Sequence, residues 1–312
     1  MTASGAAWLA AHARPLVQAL SAAFPDLGGS VTDAPEARKI LAAGGRAKRG
    51  PEVAEATDLR IPGPEGEVPV RVYRPYESGE APAPIVYFHG GGFVLGDLDL
   101  YDATARALAA GSGRPLISVD YRLAPEHPFP AAAEDAYAAV CWAAQQYGTA
   151  PAVAGDSAGG NLAAVCCLLA RDRGGPPISR QALIYPQLDP AQDTASYRRN
   201  ADGCFLTAAH LRWFWRQYLP RAGDAADPYA APLRTRSHAD LPPAHIVTAA
   251  CDPLCDEGEA YAWALSEAGV PVTHRRYDGM FHGFLGLAGQ LPEGAEARAG
   301  VCGFLRGRRV GS

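Results

Sequence analysis

A serine set between glycines is the first sign of chemistry: Gly155-Asp156-Ser157-Ala158-Gly159 fits the pattern G-x-S-x-G. A serine hydroxyl becomes a useful nucleophile only when a neighbouring base takes its proton. The pattern alone is weak, and its setting gives it meaning. It follows a short apolar strand, PAVAG, and opens a helical stretch, NLAAVCCLLA. That is the strand-turn-helix context of a nucleophile elbow. The flanking glycines allow a tight, strained turn whose backbone passes close to its neighbours. Ser157 then stands at a helix N-terminus, where free N–H groups and the helix dipole favour developing negative charge.

His89-Gly90-Gly91-Gly92 is the second element, and it directly follows the apolar strand PIVYF. Glycines in such a loop can turn their N–H groups inward with no Cβ in the way. Gly91 and Gly92, with Ala158 after the nucleophile, are the candidate oxyanion-hole donors. A phosphate-cradling loop is the rival reading, but neither GxGxxG nor GxxxxGK[ST] occurs in the chain. His89 reads as a residue that orients the loop rather than as a proton carrier.

In the chain order that accompanies a nucleophile elbow, an acid and then a base follow the serine. His210, His238 and His245 precede the best acid. His274 lies in the alternating stretch VTHRRY, which points it outward. His282, in GMFHGF, follows that strand at the edge of the sheet where ligands bind in open α/β folds, so it is the candidate base. Asp252 ends the strand AHIVTAAC and precedes Pro253, which holds it extended over the end of the sheet. It is the candidate acid, and Asp256 is better placed to cap the next helix. Phe93, Phe205, Leu206, Phe281 and Leu285 are candidate substrate-pocket residues. Trp213, Phe214 and Trp215 are candidates too, but they are consecutive on a helix and cannot share one face, so at most one or two of them line a pocket.

The elements that position these groups alternate. Short apolar strands at 84–90, 115–121, 151–155, 180–186 and 244–252 are separated by helical stretches at 102–111, 131–147, 158–172 and 256–268. This pattern predicts a mostly parallel sheet with helices on both faces. Ahead of it, VAEATDLRI and EVPVRVYRP are joined by PGPEG as a β-hairpin. The strand VPVTHRRY and a helix near 293–306 close the chain. Residues 4–24 read as a helix bent near Pro15. A second helix through ARKILAA is capped by Thr32 or Asp33 and ended by Gly44-Gly45. No strand is expected between Tyr185 and about Asp227, where FLTAAHLRWFWRQYL is helical and aromatic. An insertion of that size reads as a lid or cap.

Together HGGGF, YRLAPEHPFPAAAEDAY, GDSAGGN, LIYP, DPLCDEG and HGF resemble the bacterial hormone-sensitive-lipase-like esterases (family IV, the GDSAG branch) of the α/β-hydrolase superfamily. The resemblance runs in order from about residue 84 to 286. It implies an α/β-hydrolase fold with an eight-stranded, mostly parallel sheet flanked by helices. It also implies a helical cap made of residues 1–48 and 187–226, over a core of 49–186 and 227–312. The implied activity is carboxylic-ester hydrolysis with Ser157, Asp252 and His282 as triad and Gly91, Gly92 and Ala158 as oxyanion donors. No metal and no organic cofactor is implied. Cys255 stands where arginine is common in the family, and the strand before the elbow is short and carries Pro151.

Two other readings stand beside the esterase. An amidase or deacetylase would use the same triad. A ligand-binding module on this fold is the non-enzymatic alternative; the plant gibberellin receptors resemble the family but lack the base, which is present here. Bulky aromatics predict a small acyl pocket, taking acetyl to hexanoyl esters.

The partner that the resemblance implies is a small-molecule ester, and composition speaks against other classes. With 28 basic against 33 acidic residues and a net charge of −5, no clustered basic face suggests nucleic acid. No apolar stretch reaches membrane-spanning length, so no stable membrane association is expected. The seven cysteines are odd in number and form no CxxC pair. They read as reduced thiols rather than a disulfide framework. No secretion signal opens the chain, since Arg14 follows the first apolar residues rather than preceding them. A cytoplasmic enzyme is expected. A homodimer through the edge strand VPVTHRRY is open, although its charges discourage edge pairing.

Overall fold

The computed structural model describes residues 5–44, 50–76 and 83–307. A 3₁₀ turn at Gly5–Trp8 precedes helices α1 (Arg14–Ala23) and α2 (Ala34–Ala43). Strands β1 (Glu55–Gly63) and β2 (Gly66–Arg74) form the expected hairpin. There follow β3 (Ile85–Phe88), α3 (Asp102–Ser112), β4 (Leu116–Val119), α4 (Ala131–Tyr147), β5 (Ala152–Asp156) and α5 (Ala158–Asp172). The chain continues with β6 (Arg180–Ile184), α6 (Ala195–Arg199) and α7 (Ala208–Tyr218). It ends with β7 (Ala244–Cys251), α8 (Cys255–Glu267), β8 (Val272–Phe281) and α9 (Pro292–Arg306).

The strands form one eight-stranded sheet in the order β1-β2-β4-β3-β5-β6-β7-β8. The hairpin and its junction with β4 are antiparallel, and every later pairing is parallel. β3, β4 and β5 are buried along their whole length. Their continuous apolarity follows from helices covering both faces: α4, α5 and α8 pack over one core cluster, and α3 and α9 over the other. The topology turns at β3, so the loops after β3 and β5 meet at the carboxyl edge of the sheet, where such folds bind ligands.

Several local expectations change. Pro15 does not bend a long helix; it occupies the first turn of α1, where its missing N–H leaves no bond unmade. Ser4, the first residue of that expected helix, lies outside the described residues. Asp33, not Thr32, caps α2, accepting a hydrogen bond from the Glu36 N–H at 2.9 Å. The helix ends at Gly44; Gly45 lies outside the described residues, as do residues 46–48 of the expected cap. β8 runs four residues past Tyr277 to Phe281. Its pairing with β7 shifts between Ala249 and Cys251, and Gly279 there takes the left-handed φ of +72°. That bulge lets the strand end beside the site rather than short of it.

The segment after β6 carries α6 and α7. It meets the N-terminal segment through an edge-on contact of Phe24 with Phe205 (5.3 Å between rings). The Trp213 indole N–H also donates to the Thr32 carbonyl at 3.2 Å.

Candidate active site

Ser157 follows β5 directly and opens α5 with φ 56° and ψ −120°. A non-glycine residue holds such a backbone only when its surroundings enforce it. Here the Ser157 N–H donates to the Ile184 carbonyl at 2.9 Å, and the Ser157 carbonyl accepts from the Gln187 N–H at 3.1 Å. The flanking glycines are required by contact. A Cβ at Gly155 would meet the Gly159 carbonyl, and one at Gly159 would meet the Phe88 carbonyl.

The Ser157 hydroxyl lies 3.0 Å from His282 Nε2, and His282 Nδ1 lies 2.7 Å from Asp252 Oδ2. A carboxylate only accepts, so Nδ1 carries the proton and Nε2 is free to receive one from the hydroxyl. The three come from the ends of β5, β7 and β8, and all are buried. Asp252 is held in turn: its Oδ1 accepts from the Leu254 N–H at 2.9 Å. The Asn200 amide donates to the carbonyls of Ala250 and Asp252, both at 3.0 Å. Asp256 is not a cap of α8 as expected. Its carboxylate accepts from the Ser196 N–H at 2.7 Å, tying α6 to α8.

The loop after β3 brings Gly91 and Gly92 to Ser157, with left-handed φ of 115° and 61°. Neither of these N–H groups, nor that of Ala158, donates to a backbone carbonyl among the described residues. His89 stands behind the loop. Its Nδ1–H donates to the Gly90 carbonyl at 2.7 Å, and its ring stacks on Tyr121 at 4.4 Å. Burial pushes its pKa down to about 4, so it is neutral and orients the loop.

Ser157, His282, Gly91 and Gly92 open into an apolar cavity of about 170 Å³. Phe205 and Leu206, both expected in the pocket, line it. Phe93, Phe281 and Leu285 are not among its lining residues. Phe93 is turned away by a left-handed φ of 64° and stacks on Tyr218 at 3.8 Å. Phe281 sits behind Phe205, ring edge to face at 6.4 Å. Leu285 is buried in the core with Phe284. The three consecutive aromatics of α7 do diverge. Phe214 lines the cavity with its ring against Gly92, Trp213 reaches Thr32, and Trp215 packs on Phe93.

Sequence reasoning missed Phe24, Leu41 and Leu100, which line the cavity from the N-terminal segment and the loop before α3. It also missed Tyr185, whose ring lies 4.7 Å from that of His282. The LIYP motif was the signal for Tyr185; nothing local marked the others. Among the described residues, no group of three or more His, Cys, Asp or Glu is placed to hold a metal ion. No helix there is long and apolar enough to cross a membrane.

A family model described as the alpha/beta hydrolase fold matches residues 85–286. The chain belongs to that family, in its hormone-sensitive-lipase-like esterase branch. It is 48% identical over 261 residues to the carboxylic ester hydrolase LipN of Mycobacterium tuberculosis, a match covering 80% of this chain and 69% of the relative. The carboxylesterase NlhH of the same organism is 44% identical over 241 residues, covering 74% of this chain and 75% of that one. Among solved structures, a hyperthermophilic esterase from the archaeon Pyrobaculum calidifontis superposes with a TM-score of 0.87 at 40% identity. That match covers 96% of this chain and 98% of the other.

Proposed function

We propose that the chain is a serine carboxylesterase acting on short- to medium-chain acyl esters, with Ser157 as nucleophile, His282 as base and Asp252 as the acid that orients it. The observation that carries this reading is the unbroken row of hydrogen bonds, 3.0 and 2.7 Å long, beside the N–H groups of Gly91, Gly92 and Ala158. The relatives' names, carboxylic ester hydrolase and carboxylesterase, support the same reaction.

In this mechanism the ester carbonyl oxygen faces the three N–H groups. Ser157 Oγ attacks the carbonyl carbon while its proton passes to His282 Nε2. Asp252 holds the imidazolium through Nδ1, and the oxyanion rests on the amides. Collapse expels the alcohol, which takes the proton from Nε2. Water then attacks the acyl-enzyme, gives its proton to Nε2, and the acid leaves as Ser157 is reprotonated.

The cavity supports the size limit. An apolar cavity of about 150 Å³ holds a benzene molecule, and this one is of similar size, so acetyl to hexanoyl chains fit. Residues 5–44 and 187–226 act in this reading as a cap, supported by the contacts of Phe24 and Thr32 with the inserted segment. Seven unpaired cysteines support a reducing compartment such as the cytoplasm. A homodimer would use the open side of β8, where Arg275, Arg276 and Asp278 work against it; light scattering of the purified chain tests it.

Ser157→Ala lowers kcat on p-nitrophenyl acetate by roughly 10⁴- to 10⁶-fold. A variant keeping most of its activity refutes the assignment. In a p-nitrophenyl ester series, activity falls steeply beyond octanoyl; a maximum at palmitoyl refutes the size limit. A matched ester and anilide pair separates esterase from amidase.

A further inference from the structure

We propose that Asp156 is a positioning residue: its carboxylate ties the oxyanion-hole loop to the nucleophile turn and, as an anion, steadies the imidazolium that His282 becomes. The proposal rests on the triad reading above.

Asp156 ends β5, immediately before Ser157, and its side chain lines the cavity at 8% exposure. One donor and one close backbone contact reach it from the neighbouring strand and loop. The Tyr87 hydroxyl, from β3, donates to Oδ1 at 2.5 Å. Gly90, from the loop that carries Gly91 and Gly92, lies against the carboxylate, and its backbone N–H lowers the Asp156 pKa. A Cβ at Gly90 would stand 2.5 Å from Asp156 Oδ2 and 2.9 Å from the Tyr101 hydroxyl, so only glycine lets the loop lie against the carboxylate. The acceptor thus belongs to the nucleophile's own turn, and the Tyr87 donor and the Gly90 contact to the oxyanion side. Any slide of one against the other breaks the Tyr87 bond and opens the Gly90 contact.

The charge matters as well. His282 is among the groups that lower the Asp156 pKa, so a positive charge on that ring favours the Asp156 anion. The phenols and the His89 imidazole around the carboxylate are neutral near pH 7. Tyr87, Tyr101, Tyr121 and Tyr185 are all pushed well above the usual phenol range by burial, and Asp156 adds to each. His89 is held neutral by burial. Asp97 acts on Tyr101 and His89, and Asp252 on Tyr185, as the further carboxylates of this region. Burial raises Asp156 to about 6, opposed by the Tyr87 hydroxyl, His282 and the Gly90 N–H. It therefore ionises within the pH range where the enzyme is assayed.

The test is kcat and kcat/KM for p-nitrophenyl butyrate from pH 5 to 9, with the full chain and two variants. Asp156→Asn keeps the shape and removes the charge. Its kcat falls about tenfold or more, and the acid limb of kcat/KM moves down by about half a pH unit, because the carboxylate no longer has to ionise. Tyr87→Phe removes the donor that lowers Asp156, so its limb moves up. Opposite displacements are a signature that a purely structural role does not give. Labelling by an organophosphate checks Ser157 in each protein, and far-UV circular dichroism checks the fold. A folded, labelled Asp156→Asn with wild-type kcat and an unmoved limb overturns the proposal. Should Asp156→Asn not fold, Tyr87→Phe decides: an unmoved limb overturns the proposal and an upward one upholds it. Failure to label wild-type Ser157 instead removes the triad reading itself.

Discussion

On the proposed function, the specificity of the site comes down to one ring, that of Phe214. It lies against Gly92, at the oxyanion end of the cavity, where even a Cβ on Gly92 would collide with it. On the proposed reading a longer acyl chain entering from Ser157 meets that ring, which lines the same cavity. Each extra methylene a pocket accepts is worth about 1–3 kcal/mol of discrimination. Phe214→Ala therefore raises the octanoyl-to-butyryl ratio of kcat/KM by about tenfold or more, read in the same p-nitrophenyl series; an unchanged ratio places the chain-length limit elsewhere. The three residues of the proposed triad were legible as candidates in the sequence because each obeys a local rule. Ser157 needs glycines beside it, and Asp252 and His282 sit at strand ends. Phe214 obeys no such rule. Helix periodicity says that Trp213, Phe214 and Trp215 point three ways, but only the docking of α7 on the loop after β3 decides which ring faces the ester. Phe93 shows the same limit from the other side. It adjoins the oxyanion glycines in sequence, yet its left-handed backbone sends the ring to Tyr218.

α6 is only five residues long, and its contribution is to the end of β7. Asn200 caps it and gives both amide hydrogens to carbonyls there, those of Ala250 and Asp252. Asn200→Ala leaves those carbonyls without this donor, at about 1–3 kcal/mol, and frees the segment carrying Asp252, the proposed acid. The expected outcome is a lower Tm together with a kcat reduced about tenfold on p-nitrophenyl acetate at 25 °C, because small displacements of a catalytic row are expensive. A lower Tm with unchanged kcat would make Asn200 a stability residue alone. Alternation of apolar strands and helices made the sheet legible, since burial on both faces leaves an unmistakable apolar run. The ends of elements were harder. β8 passes Tyr277 because a glycine bulge absorbs a register shift against β7, and a glycine in a strand pattern reads equally well as its end. Asp256 looked like a helix cap because its partner, Ser196, lies 60 residues away in the chain.

Across the whole molecule, stability against acid depends on histidines that the fold keeps neutral. His245, on β7 and packed on Phe304 of α9 at 5.5 Å between rings, is almost fully buried. Burial, with smaller contributions from His274 and Arg275, pushes it down to about 4. Above pH 6.5 it is neutral folded or unfolded and contributes nothing to the pH dependence. Between 6.5 and 4 the unfolded chain takes up a proton that the folded chain refuses, so stability falls as the pH falls, and the loss is complete below about 4. At 1.36 kcal/mol per pH unit, this amounts to roughly 3 kcal/mol from one residue. Asp156, raised by burial to about 6, has the opposite sign: its folded state holds a proton that the unfolded state has lost, so its contribution favours the acid side. The two partly cancel in the wild-type curve, which is why that curve alone is uninformative. His245→Gln separates them, because Asp156 is common to both proteins. Urea unfolding at pH 7 and pH 4.5 should find the stability of wild type relative to His245→Gln falling by roughly 2–3 kcal/mol between the two conditions. The offset at pH 7 reflects packing and is immaterial to the slope. A difference that stays constant with pH would mean that His245 takes up its proton in the folded chain as readily as in the unfolded one.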